Sequence, residues 1–90
     1  MEYKNMKLNP FRNADYLAWV RRQGCLICGR PAEAHHVRRL YWGAGTGIRS
    51  HDFCTLPLCR EHHTPEIEGQ LNVEREIIEL LMRYIDTKCK

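Results

Sequence analysis

No stretch of this 90-residue chain approaches the ~20 consecutive apolar residues of a membrane-spanning helix, so no membrane association is expected. The N-terminal run MEYKNMKLNP is polar and has no apolar segment of the kind a secretory signal carries. Cysteines number five, and an odd count without an export signal speaks against a secreted disulfide framework. A cytoplasmic location is expected, where reduced cysteines read better as metal ligands. The glycine-rich run Gly43-Ala-Gly-Thr-Gly47 lacks the spacing and the following Lys-Ser/Thr of a phosphate-binding loop, so it reads as a turn. Internal repeats and low-complexity tracts are absent. Above all the chain is short of core: a single domain of this size buries too little apolar surface to be comfortably stable alone, and a staple such as a bound zinc is expected.

Charge is modest in sum and uneven in place. The formal net charge is +3 and the pI is near 8.7. Arg21, Arg22, Arg30, Arg38, Arg39 and Arg49 fall early, whereas Glu61, Glu66, Glu68, Glu74, Glu76 and Glu79 crowd the last third. Such asymmetry suits one face turned to phosphates, with Arg38, Arg39 and Arg49 as candidate nucleic-acid contacts.

Residues 1–11 lack periodicity and read as a loose arm, leaving one domain over 12–90. From about Arg12 to Gln23, Tyr16, Leu17, Trp19 and Val20 recur at helical spacing, with Asn13 or Asn9 as start signals and Gly24 as the stop. Glu33 to Val37 suits the first strand of a hairpin and Phe53 to Leu58 the return strand. Cys59 to His63 opens a helical or tightly turned segment. A helix is expected over 72–86, capped by Asn72, with Val73, Ile77, Leu80, Leu81, Tyr84 and Ile85 as one apolar stripe serving as core or as a homodimer contact. The fold class is α+β.

Cys25 and Cys28 form a C-x-x-C turn, and Cys59 with His62 forms a C-x-x-H turn. Brought together they offer three thiolates and one imidazole, the donor set of a closed structural zinc site. Cys54 is a competing thiolate, less suited because it cannot share a turn with Cys59. Cys89 lies in the polar tail TKCK and reads as an exposed spare thiol. His35 and His36 are adjacent, so on a strand they point to opposite sides and cannot share one metal. One can ligate a divalent ion while the other, titrating near neutrality, takes a proton from water.

The ensemble of C-x-x-C-G, His-His, a glycine-rich hairpin loop, Asp52, LPLC and a second His-His resembles the HNH (ββα-metal, His-Me finger) endonucleases, and within them the small phage-type nucleases related to the recombination-enhancement nuclease Ref. The resemblance runs from YLAWVRRQGCLICG to Gly69, with the zinc knuckle and ββα-metal core over 25–69. It implies a metal-dependent endonuclease, acting on nucleic acid, DNA first, in a bacterial host. On the matching positions His35 and His63 would hold the catalytic ion and His36 would be the general base. The family's middle Asn is replaced by Cys54, so Asp52 is the nearest group able to accept the imidazole N–H. Ile67 stands where related proteins place a further histidine, and Glu66 or Glu68 can supply an oxygen instead. That donor set suits Mg²⁺ or Mn²⁺, with Zn²⁺ or Ni²⁺ as alternatives. The competing expectation is a catalytically weak, zinc-stabilised nucleic-acid-binding module.

Overall fold

The computed structural model describes residues 11–38 and 49–89. Residues 1–10 of the arm expected over 1–11, the Gly43–Gly47 turn and Arg39 lie outside the described residues; Phe11, the last residue of that arm, is held to the domain, its ring stacked on Phe53 at 5.1 Å and its N–H donating to His51 Nδ1 at 2.6 Å. The elements run α1 (Ala14–Arg21), β1 (Glu33–His36), β2 (Thr55–Leu58), a 3-10 helix (Pro65–Gln70) and α2 (Val73–Lys88). This is a small α+β architecture around a two-stranded antiparallel sheet.

Asn13 starts α1: its side chain accepts from the Tyr16 backbone N–H, satisfying one of the donors that a helix start leaves bare. The helix is shorter than the expected Arg12–Gln23, because capping at Asn13 fixes its first turn at Ala14. At the other end the chain reverses through Gly24 at φ 82°, a left-handed conformation that glycine adopts without strain. Tyr16 and Val20 face inward.

The strands pair Glu33 with Leu58, Ala34 with Pro57, His35 with Leu56 and His36 with Thr55. The return strand begins two residues later than expected. Its would-be start is a turn instead, closed by Cys54 N–H donating to His51 O at 2.8 Å and Thr55 Oγ1 donating to Asp52 O at 3.0 Å. Every residue of β2 is buried. It lies in the middle of a core made of Val37, Leu56, Leu58, Ile67, Val73, Ile77 and Leu80, completed by Cys25 and Cys59. A second, aromatic cluster joins α1 to α2: Tyr16 meets Phe53 and Tyr84 edge to face at 4.9 and 4.8 Å.

Asn72 caps α2 through a bond from Arg75 N–H at 3.2 Å. The buried side is Val73, Ile77 and Leu80. Ile85, expected on that side, is 57% exposed. Among the described residues no helix is long and apolar enough to cross a membrane.

Candidate metal centre and histidine cluster

The C-x-x-C turn follows directly from α1. Cys25 N–H donates to Arg30 O at 2.8 Å and Gly29 N–H returns to Cys25 O at 2.9 Å, which closes the knuckle over Gly29 at φ 77°. Leu26 N–H donates to Pro57 O at 3.0 Å, docking this knuckle on β2 beside the Cys59–His62 turn. The two turns thereby meet. Cys28 Sγ lies 3.6 Å from Cys59 Sγ, and His62 Nδ1 lies 3.6 Å from Cys25 Sγ and 3.2 Å from Cys59 Sγ. The four donor atoms all lie within 4.8 Å of one another. A disulfide needs sulfurs ~2.05 Å apart, so these sulfurs are not bonded. Tetrahedral zinc with Zn–S bonds of ~2.3 Å sets sulfurs a little under ~4 Å apart, which this spacing matches. The cluster can hold a metal such as zinc.

Its electrostatics favour a cation. Burial pushes the Cys25 thiol up, but backbone N–H groups of Cys59, Cys28 and Ile27 outweigh it and bring the thiol down to about 6. Arg30 lowers Cys28, donating from Nε to its Sγ at 3.1 Å. Burial raises Cys59. The Cys25 thiolate raises His62. Arg30 also reaches Cys59 Sγ at 3.8 Å and pairs with Glu61. Three thiolates leave a divalent ion with one excess negative charge, and the guanidinium offsets it from just outside. Removing such a partner typically weakens metal affinity ~10- to 100-fold. Arg30→Ala is therefore expected to lose metal to a competing chromophoric chelator at correspondingly lower chelator concentration; an unchanged competition curve would show the guanidinium to be incidental.

Spacing makes Cys54 a poorer ligand than His62, and the geometry agrees in excluding it. Cys54 is not among the clustered donors, and burial pushes its thiol up to about 11. Cys89 is exposed at the end of α2.

The histidines of β1 divide between the two faces of the sheet, as alternation requires. His35 is 4% exposed and lies with Nε2 2.9 Å from Glu68 Oε2. Its ring stands edge to face on that of His63 at 4.9 Å. His63 Nδ1 is 2.8 Å from Glu33 Oε1. Glu33 precedes His35 by two on the strand and so shares its face. Burial lowers the pKa of His35 despite the Glu68 carboxylate. His35 Nδ1 is buried with no hydrogen-bond partner.

His36 lies with Nε2 2.8 Å from Asp52 Oδ1. Asp52 is a buried hub: it accepts from Asn13 N–H at 2.7 Å and Arg12 Nη1 at 3.0 Å, while Arg12 also donates to Arg49 O at 3.0 Å and to Ser50 O. Burial pushes the Asp52 carboxyl up, but the His36, Asn13 and Arg12 bonds together hold it below the usual carboxylate range. Burial lowers His36 as well, against the pull of Asp52.

The structure thus sets His35 against Glu68 and against the ring of His63, and separately His36 against Asp52; among the described residues the donor atoms close enough together to share a metal are those of the Cys3His cluster. It does not bring Glu66 to His35. Glu66 is exposed, because Ile67 turns into the core at 3% exposure and the tight 3-10 turn then swings Glu68, the alternative carboxylate, onto β1. Arg38 is exposed beside this cluster, its backbone N–H donating to Glu68 Oε2 at 3.0 Å, and Arg49 is exposed beyond Asp52. Glu33, Arg12 and Arg30 hold places in these sites that the sequence did not assign them. The period-two relation to His35 could have found Glu33; nothing local marks Arg12 or Arg30.

Fold and site define a small α+β protein with a Cys3His cluster that can hold a metal, and a histidine–carboxylate group on β1. The chain belongs to the family described as Protein of unknown function (DUF968), whose profile matches residues 3–88. It is similar to Uncharacterized protein YdfU of Escherichia coli (strain K12), 36% identical over 74 residues. That match covers 79% of this chain and 21% of the relative, so the chain spans about a fifth of that protein's length. No solved structure matches the chain.

Proposed function

We propose that the chain is a zinc-stabilised, divalent-metal-dependent endonuclease of the HNH (ββα-metal) type. The observation that carries this reading is the division of labour at β1. His35 meets Glu68 and the ring of His63 on one face, and its neighbour His36 is hydrogen-bonded to the ionised Asp52 on the other.

His35, His63 and Glu68 would hold a divalent ion, and two imidazoles with one carboxylate fit Mn²⁺, Zn²⁺ or Ni²⁺ more readily than Mg²⁺, which favours all-oxygen surroundings. His35 faces Glu68 through Nε2, the nitrogen that would serve the ion beside that carboxylate. When bound, such an ion polarises a scissile phosphate and stabilises the leaving oxygen. The chain's own part is the proton. With Nε2 committed to Asp52, His36 keeps Nδ1 as its basic nitrogen, and Asp52 stabilises the imidazolium formed when water is deprotonated. Arg12 and Asn13 keep Asp52 ionised and in place.

The test is nicking of supercoiled DNA, and cleavage of single-stranded DNA and RNA, across Mg²⁺, Mn²⁺, Ni²⁺ and Zn²⁺. Divalent-dependent cleavage of at least one substrate is expected. No cleavage of any would overturn the enzymatic reading.

A second reading, a zinc-stabilised nucleic-acid binder that cuts weakly or not at all, is favoured by a specific observation: both β1 histidines are nearly enclosed and each is already paired with a carboxylate, His36 with a side chain 9% exposed. Both readings place exposed Arg38 and Arg49 against phosphates. Replacing both with alanine is expected to weaken duplex binding and lower the slope of log affinity against log salt by about two, one for each phosphate no longer neutralised. An unaltered slope would move the nucleic-acid surface elsewhere.

A further inference from the structure

The four donors of the Cys3His cluster are not equally protected. Cys25 and Cys59 are each 5% exposed and belong to the core, whereas Cys28 is exposed. The difference follows from the turn. Cys28 closes it on the solvent side, Ile27 before it is exposed, and a Cβ added at Gly29 after it would meet nothing beyond its chain neighbours within 4 Å. A thiolate bound to a metal keeps lone pairs and remains a nucleophile, and reactive cysteines are those that are accessible in electropositive surroundings. Arg30 supplies those surroundings, with Nε 3.1 Å from Cys28 Sγ.

A second sulfur is placed to resolve what forms on the first. Cys59 Sγ is 3.6 Å from Cys28 Sγ, and the same guanidinium reaches it at 3.8 Å. Closing the pair to the ~2.05 Å of a disulfide takes a shift of ~1.5 Å, and Cys28, outside every helix and strand, is the partner free to make it. Cys25 Sγ is engaged otherwise, accepting from Ile27 N–H at 3.4 Å and lying 3.6 Å from His62 Nδ1. Cys54 and Cys89 are not among the clustered donors.

We propose that Cys28 is an oxidation site: a peroxide attacks its sulfur, Cys59 closes a Cys28–Cys59 disulfide, and the cluster gives up its metal. One peroxide suffices. The Cys28 thiolate takes one oxygen of hydrogen peroxide, an S–O bond forms as the O–O bond breaks, and hydroxide leaves. The Cys59 thiolate then attacks the Cys28 sulfur, an S–S bond forms as the S–O bond breaks, and a second hydroxide leaves. Two thiolates have given two electrons to the peroxide, and each hydroxide takes a proton from solvent to become water. Cys25 and His62 remain, two donors where a structural zinc takes four, so the ion departs. Exchange with a reducing thiol reverses the change. This oxidation requires a cluster that holds a metal and is independent of the nuclease reading, since no step involves cleavage.

The zinc-bound protein as purified is treated with hydrogen peroxide beside a chromophoric chelator that reads released zinc, and its disulfides are mapped by mass spectrometry after alkylation. One zinc is expected to leave per Cys28–Cys59 disulfide formed, and a dithiol with added zinc should restore the metal-bound fold. Cys28→His keeps four donors but removes the accessible sulfur, and should lose the rapid release. Cys25→His keeps both reacting sulfurs and should release zinc as wild type does. Should either variant fail to hold zinc, the wild type decides through its first-formed disulfide, sampled while most of the zinc is still bound. Cys89, exposed and outside the cluster, is the internal standard for effective oxidant. Zinc kept while Cys89 is oxidised, a first disulfide that joins Cys25 to either partner, or a Cys28→His variant that releases zinc as fast as wild type would overturn the proposal. Protein that carries no zinc as purified would overturn it together with the reading of the cluster.

Discussion

Replacing His36 with alanine is expected to slow cleavage ~10²- to 10⁴-fold, the usual worth of a general base, while zinc content, the second ion and duplex binding are retained. The contrast with the ligand positions makes the result diagnostic. His63→Ala and Glu68→Gln should weaken the second ion itself, with activity partly recovered at high Mn²⁺, whereas Glu66→Gln, at an exposed position outside the cluster, should leave it unchanged. His36→Ala should not be rescued by metal. The pH profile supplies an independent check. A base must be neutral to act, and burial holds the folded His36 below its ordinary value in spite of Asp52. Its neutral form therefore persists to lower pH, and the acid limb of the rate profile should lie below the ~6.5 of a free imidazole. Asp52→Asn removes the group that pulls the pKa of His36 up, so its limb should move lower still as the rate falls. A limb above the free-imidazole value, or a His36→Ala variant that cuts as fast as wild type, would remove His36 from the base position.

Stripping the metal from the Cys3His cluster is expected to unfold the domain. Structural zinc sites contribute an apparent ~10–16 kcal/mol to folding in small peptides, comparable to or larger than the whole ~5–15 kcal/mol stability of an ordinary domain. Here Cys25 and Cys59 are also part of the core, so the ion's loss would leave buried thiolates facing one another without a counter-charge. Protein purified without added metal should carry one zinc per chain. A strong chelator, or Cys28→Ala, should abolish the cooperative melt together with the zinc. Cys54→Ala and Cys89→Ser should keep the ion, because neither thiol is among the clustered donors. Full zinc loss with an intact melting transition would mean that the apolar core suffices and that the ion is dispensable to the fold.

The helices and strands were legible because short-range rules govern them. Asn13 and Asn72 announce their helices by capping, and the spacing of Val73, Ile77 and Leu80 turns one side of α2 inward. Two C-x-x-C/H turns name the candidate metal ligands because knuckle geometry is local and only their meeting is not. Harder to read was Ile85, one residue after Tyr84 on an amphipathic helix; whether such a residue is core depends on where the aromatic cluster of α1 ends. Phe53 was equally ambiguous, since the Thr55-to-Asp52 bond converts an apolar stretch into a turn.

By itself, then, the sequence determined an α+β chain whose Cys25, Cys28, Cys59 and His62 can hold a metal, and a histidine pair split across a strand, since each follows from spacing along the backbone. Asp52 was already the nearest acceptor for His36 in the resemblance; only the tertiary structure decided which carboxylate reaches His35 and what holds Asp52 in place. Asp52 faces His36 because Arg12 and Asn13, from the far side of the hairpin, bury it there. Glu68 rather than Glu66 reaches His35 because Ile67 had to enter the core and the 3-10 turn carried its successor onto the strand. Contacts between segments distant in sequence are fixed by packing, and packing leaves no mark in local pattern.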